Sequence, residues 1–149
     1  MRVFLYIATT VCIGLLIGTE FAVSVFINPV LRKLEERSQA RAISLFAGRL
    51  GRAMPFWYGL SLLLLIVEAV VERHELGFSL LIVATAIWLA VIVLTLLFLV
   101  PINNRMMLLD AASFPKEAQR EHERWDSRHR LRVMALVVAM ICFLLAAHR

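Results

Sequence analysis

The side chains best suited to chemistry stand in one short run, Trp125-Asp126-Ser127-Arg128-His129-Arg130-Leu131-Arg132, immediately before the last apolar stretch. Trp125, His129 and Arg132 are spaced i, i+4 and i+7, so on a helix they share a face, and His122 extends that face one turn earlier. A histidine changes charge near neutral pH and can take or return a proton. An arginine beside it can hold a developing negative charge through charge-assisted hydrogen bonds. A second polar stripe lies far upstream: Glu20, Ser24 and Asn28 recur every four residues inside and at the end of the first apolar run. Glu20 is seven residues from the inner end of that run, roughly 10 Å at 1.5 Å per residue. Its side chain is too short to reach water from there. It is expected either to be protonated or to face a polar cavity.

The elements that must position these groups follow from composition. The chain has 149 residues, room for one domain, and is 61% hydrophobic and 18% charged, with a mean hydropathy of +0.81. Soluble domains are nearer half apolar and a quarter charged. The apolar residues fall in four runs, about 4–27, 54–71, 78–100 and 131–147. A spanning helix needs roughly 20 apolar residues, so the expected fold is all-α, a four-transmembrane-helix bundle in a single integral membrane domain over 1–149. The fourth run is short, and its flanking arginines are expected to snorkel. The first is too long for a signal peptide and lacks a small-residue cleavage pattern, which favours a retained helix.

Basic residues are unevenly placed. Arg32, Lys33, Arg37, Arg41, Arg49 and Arg52 follow the first run, and Arg105, Lys116, Arg120, Arg124, Arg128, Arg130 and Arg132 follow the third. Only Arg2, Arg73 and Arg149 of the 16 basic residues remain for the other side. The positive-inside rule then predicts a multi-pass protein of a bacterial inner membrane, with both termini outside and both basic loops cytoplasmic. It also accounts for the net charge of +5 without nucleic acid as a partner. Apolar residues at helical spacing predict a helical first loop over 30–50, punctuated by Gly48 and Gly51 before Met54-Pro55 opens the second span. After Val100-Pro101 the chain is expected to turn through 102–114. Pro115 then starts a helix that runs from below the membrane into the fourth span.

With this topology, the inner ends of all four helices carry Glu20, Ser24, Asn28, Trp57, Asn103, Asn104, Trp125, His129 and Arg132. The spacing predicts one polar pocket there, lined by every helix. Elsewhere plainer readings hold. Glu68 is expected to reach the headgroups or Arg73, and Thr85 and Thr95 to bond back to their own helix. Arg124, Arg128 and Arg130 read as an interfacial belt, Gly14 and Gly18 as a packing pair, and Cys12 and Cys142 as small buried hydrophobes.

Three segments carry a likeness to a known family: Asn28-Pro29 ending the first helix, Pro101-Ile102-Asn103-Asn104-Arg105 ending the third, and Trp125-x-x-x-His129-x-x-Arg132 opening the fourth. Over nearly the full length the chain resembles the anthrone oxygenase-like membrane proteins, a four-helix family. The resemblance implies oxidation of a flat lipophilic anthrone- or quinol-like substrate, with molecular oxygen as co-substrate and no dedicated cofactor or metal. It also implies His129 as base, Arg132 and Asn103 as stabilisers of an oxyanion, and Glu20 as orienter or proton relay. Trp125 and Trp57 would stack on the substrate, with Asn28, Asn104 and Ser24 lining its site.

Other readings stay open. A carboxylate alone in the first helix would suit a small proton-coupled transporter working through Glu20. His122, Asp126 and His129 lie on about one face, which leaves a metal or haem site as a minority alternative. Four short helices enclose little volume, so a homo-oligomer, or another subunit docked on Gly14 and Gly18, is a further candidate besides the lipid bilayer and a lipophilic small molecule.

Overall fold

A computed structural model describes residues 2–108 and 115–147. All regular structure among them is helical, in four rods: α1 (Arg2–Leu31), α2 (Glu36–Val71), α3 (Phe78–Met107) and α4 (Lys116–Ala146). Each is long and apolar enough to cross a bilayer. The lateral surface agrees with that environment. Leu63, Val70, Val83, Leu89, Val138 and Ile141 are all exposed, an apolar girdle far beyond what a protein in water tolerates. The chain is a multi-pass membrane protein.

Two helices are longer than their apolar runs predict. The first loop shrinks to 32–35, and α2 runs unbroken from Glu36 through Gly48, Gly51 and Pro55 to Val71. The expected stop at the glycines does not occur, because Ala40, Ile43 and Ala47 bury one face of this extension against Leu31, Ile102, Met106 and Ala118. Likewise α3 does not turn after Pro101 but continues to Met107. Of the expected turn, 109–114 lie outside the described residues. Lys116 begins α4 directly after Pro115, as expected.

The helices pack around two cores. One lies within the spans, built on Ile13, Leu16, Leu65, Leu81, Trp88, Leu136 and Phe143. The other is the cluster around Ala40 and Ile102, at the end that carries the basic loops. Between them the backbone is irregular. α1 widens into a π-turn at Val23–Ile27, closed by Asn28 N–H to the Val23 carbonyl, and α3 does the same at Thr95–Leu99, closed by Val100 N–H to Thr95. Each π-turn ends just before a proline, Pro29 or Pro101. Proline has no N–H to give and its ring crowds the carbonyl four residues back, so the preceding turn takes up one residue more. Pro55 interrupts the ladder of α2 at the same level, and α4 has no proline within it.

Lipid provides no hydrophobic drive between helices, so close packing and interhelical hydrogen bonds must hold them. Trp57 Nε1 donates to the Cys12 carbonyl at 3.1 Å, Trp88 Nε1 to the Tyr58 carbonyl at 3.2 Å, and Thr9 Oγ1 approaches Glu68 Oε1 at 3.1 Å. Glu68 is thus buried in the bundle at 4% exposure and does not reach the headgroups or Arg73, whose Nε donates to His74. Gly77, in the turn from α2 to α3, comes so close to α4 that a Cβ would lie 2.2 Å from the Ala146 carbonyl oxygen. The Gly14–Gly18 pair splits: Gly14 packs beside Met140, whereas nothing lies within 4 Å of a Cβ at Gly18. Cys12 and Cys142 are free and half-buried.

Candidate functional site

The two irregular turns and the start of the fourth span bring Glu20, Tyr58, Thr95, His129 and Arg132 to one point. Glu20 is 2% exposed and His129 1%. One carboxylate oxygen of Glu20 accepts from Tyr58 Oη at 3.1 Å; the other accepts from Arg132 Nη2 at 2.5 Å. The guanidinium also lies 5.6 Å over the Tyr58 ring, and its Nη1 is 3.4 Å from Thr95 Oγ1.

The same Nη2 is 2.8 Å from His129 Nδ1, and His129 Nε2 is 3.1 Å from the Glu20 backbone oxygen. A guanidinium only donates, so Nδ1 accepts from it. The ring proton then sits on Nε2 and is given to the Glu20 carbonyl. Nδ1 is also 3.1 Å from Glu20 Oε2, near enough to share a proton with the carboxylate. Both ring nitrogens are therefore engaged by protein.

Above this cluster lies a cavity of about 420 Å³ lined by all four helices. Most of its wall is apolar, with Val23, Leu31, Phe46, Met54, Leu96 and Leu99 among the lining residues. Glu20, Arg132, His129, Asn28, Asn103, Asn104 and Trp125 also reach it. A cavity lies at the predicted helix ends, but its wall is largely apolar and not polar as expected, and seven of the nine named residues line it.

Two do not. Ser24 is half-buried off the lining, while Val23, Ile27 and Asn28 take that wall through the π-turn. Trp57 shares its face of α2 with Ser61 and Glu68 and turns to α1; Tyr58, one residue on, faces the cavity instead. Trp125 is flanked by parallel imidazoles, His129 at 4.6 Å and 10° and His122 at 6.0 Å and 7°. Its faces serve this stack. Asn28 donates to Asp126 at 2.7 Å, and Asp126, 2% exposed, also pairs with Arg32. Asn103 Nδ2 donates to the Ala47 carbonyl at 3.2 Å.

Sequence reasoning missed Tyr58, the Thr95 hydroxyl as a neighbour of Arg132, and the Asp126–Arg32 pair that fixes Asn28. The heptad between Tyr58 and Leu65, on the core face of α2, was the available signal for the first. Asp126 is committed to Asn28 and Arg32, so the imagined His122–Asp126–His129 set does not converge. Among the described residues no group of three or more His, Cys, Asp and Glu side chains is placed to hold a metal ion.

A membrane-spanning four-helix bundle, closed around a buried acid–imidazole–guanidinium cluster at the end of an apolar cavity, is the class that fold and site define. Within it the chain belongs to the anthrone oxygenase family, whose model matches residues 44–142, about two thirds of its length. The match is narrower than the resemblance read from the sequence. It includes Tyr58, Asn103, Trp125, His129 and Arg132, whereas Glu20 and the Asn28-Pro29 step of α1 lie outside it. No curated protein and no solved structure matches the chain.

Proposed function

We propose that this protein is a membrane-embedded oxygenase that oxidises a flat lipophilic anthrone- or quinol-like substrate within the four-helix cavity. Family membership supports the reaction class. The observation that carries the reading is the Glu20–His129–Arg132 cluster, with Glu20 and His129 buried and Arg132 nearly so, where an otherwise apolar cavity ends.

For an anthrone the reaction converts the central methylene and molecular oxygen into a carbonyl and water. A base takes one methylene proton and leaves an electron-rich enolate. Oxygen adds at that carbon to give a hydroperoxide, and loss of water leaves the new carbonyl. The scheme needs no redox partner other than oxygen. Because both ring nitrogens of His129 already have partners, the base is best written as the Glu20–His129 pair: the acquired proton replaces the Arg132 Nη2 hydrogen bond on Nδ1 and is held there against Oε2. The Arg132 guanidinium lines the cavity and is the group to meet the enolate oxygen, with the Asn103 side chain also at the cavity wall. Asn104 and Trp125 complete the contact surface.

Such a cluster suits a transporter less well. Glu20 is not the isolated carboxylate on which the carrier reading rests: Arg132 and Tyr58 hold it in a fixed cluster with His129. Anthrone turnover in proteoliposomes, followed as oxygen uptake with rising quinone absorbance, tests the reading. Arg132→Gln is expected to lower it about 10²–10³-fold, with Arg132→Lys retaining part of the rate. Undiminished turnover in Arg132→Gln, or an inert wild type, would sink the assignment. We further place the basic end in the cytoplasm of a bacterial inner membrane, on the charge asymmetry.

A further inference from the structure

The cavity is open on one side. α2 and α3 are joined toward the span core by Trp88 Nε1 on the Tyr58 carbonyl, and toward the basic end by Asn103 Nδ2 on the Ala47 carbonyl and Ser44 Oγ on the Met107 carbonyl. Between and beside these ties the seam is framed by Pro55 and, next to the Tyr58 tie, Gly59 of α2, with Ile92, Leu96 and Val100 of α3, all of which line the cavity. Pro55, Gly59 and Leu96 are nonetheless exposed, Leu96 at 57%, more than lining a sealed cavity would leave them. Residues that face both the cavity and the surroundings mark a window.

Its depth identifies what lies outside. Gly59 is five residues into the second apolar run, about 8 Å beyond its end at 1.5 Å per residue. Leu96 is at a similar depth in the third. The window therefore faces hydrocarbon chains, and none of its framing side chains carries a hydrogen-bonding group. A Cβ at Gly59 would meet nothing within 4 Å. Packing does not require glycine here, and any side chain would project into open space at the window.

We propose that the ligand enters the cavity sideways from the lipid through this window, and that Gly59 with Leu96 sets the bulk of ring system admitted. The inference rests on the oxygenase reading only for its probe, anthrone.

The test uses the full chain in liposomes without oxygen, so that binding is read apart from turnover. Anthrone association and dissociation are followed by quenching of tryptophan fluorescence in Gly59→Ala, Gly59→Val and Gly59→Phe. A window that only admits the ligand slows arrival and departure alike. The association rate should thus fall along the series, by about tenfold or more at Phe, with the dissociation rate falling in parallel and Kd nearly unchanged, unlike ordinary affinity mutants, which act through dissociation. Leu89→Phe, on an exposed lipid-facing site of α3 away from the window, should leave both rates unchanged. Unaltered association across the series, or a Kd that weakens in step with it, would overturn the window while leaving the oxygenase reading intact. Failure of the wild type to bind anthrone would overturn both. If Gly59→Phe does not fold, the Ala and Val members still give the trend.

Discussion

At the residue scale the site is a set of mutual constraints. Arg132 serves Glu20 and His129 with one nitrogen, and removing either partner leaves a charge or a polar atom unpaired in the bilayer. Breaking such a buried pair from one side costs about 3–5 kcal/mol, so loss-of-function variants here must be checked for folding. His122 presents the opposite case. It is 6% exposed and its Nε2 has no partner among the described residues, while its ring stacks parallel to Trp125. Phenylalanine would keep the ring and remove the orphaned nitrogen. His122→Phe is expected to be neutral or to stabilise by up to about 1 kcal/mol in a thermal melt in detergent. A large destabilisation would show that the imidazole is held through one of its nitrogens. His129 and Arg132 were legible as a facing pair from their spacing alone. That both nitrogens of His129 would be spent on Glu20 and Arg132 was not, because hydrogen-bond saturation depends on the depth of α1 against α4.

At the element scale the π-turns decide what faces the cavity. Glu20 and Asn28 are eight residues apart, so on a regular helix they diverge by about 80° at 100° per residue. The wider turn at Val23–Ile27 restores their common face and moves Ser24 off it. The turn at Thr95–Leu99 does the same service for Asn103. Sequence periodicity assumes a constant 3.6 residues per turn, which is why Ser24 was misplaced. The Pro29 and Pro101 steps were visible, but their effect on the preceding turn is a packing outcome. Replacing Pro101 by Ala returns an N–H to the ladder and lets the π-turn relax to a regular helix. Pro101→Ala should melt no lower than wild type and yet turn over anthrone at least several-fold more slowly, since Asn103 and Asn104 rotate by about 100°. Wild-type turnover with a raised melting temperature would show that the π-turn does not serve the site.

At the scale of the whole molecule, the four spans were legible from composition, because the hydrocarbon thickness leaves little choice of length. The unbroken reach of α2 was not. Glycines and a proline read locally as a stop, and burial of Ala40, Ile43 and Ala47 in the second core overrides them. Orientation belongs to this scale too. With the basic end in the cytoplasm, a thiol at Ser38→Cys in α2, beyond the bundle and exposed, should react with a membrane-impermeant maleimide only after cells are opened. Labelling in intact cells would invert the topology.

The alignment of irregularities across three helices has a mechanical meaning. Pro55 and the two π-turns lie at one level, between two separately packed cores, and α4, regular throughout, joins both as a spine. Two cooperative units with the cavity as their boundary are the expected consequence. Local opening there need not unfold either unit. Slow amide exchange is expected within each core, with a fast band at 23–27 and 95–99, so the site would breathe by flexing about α4 while the rest of the bundle holds.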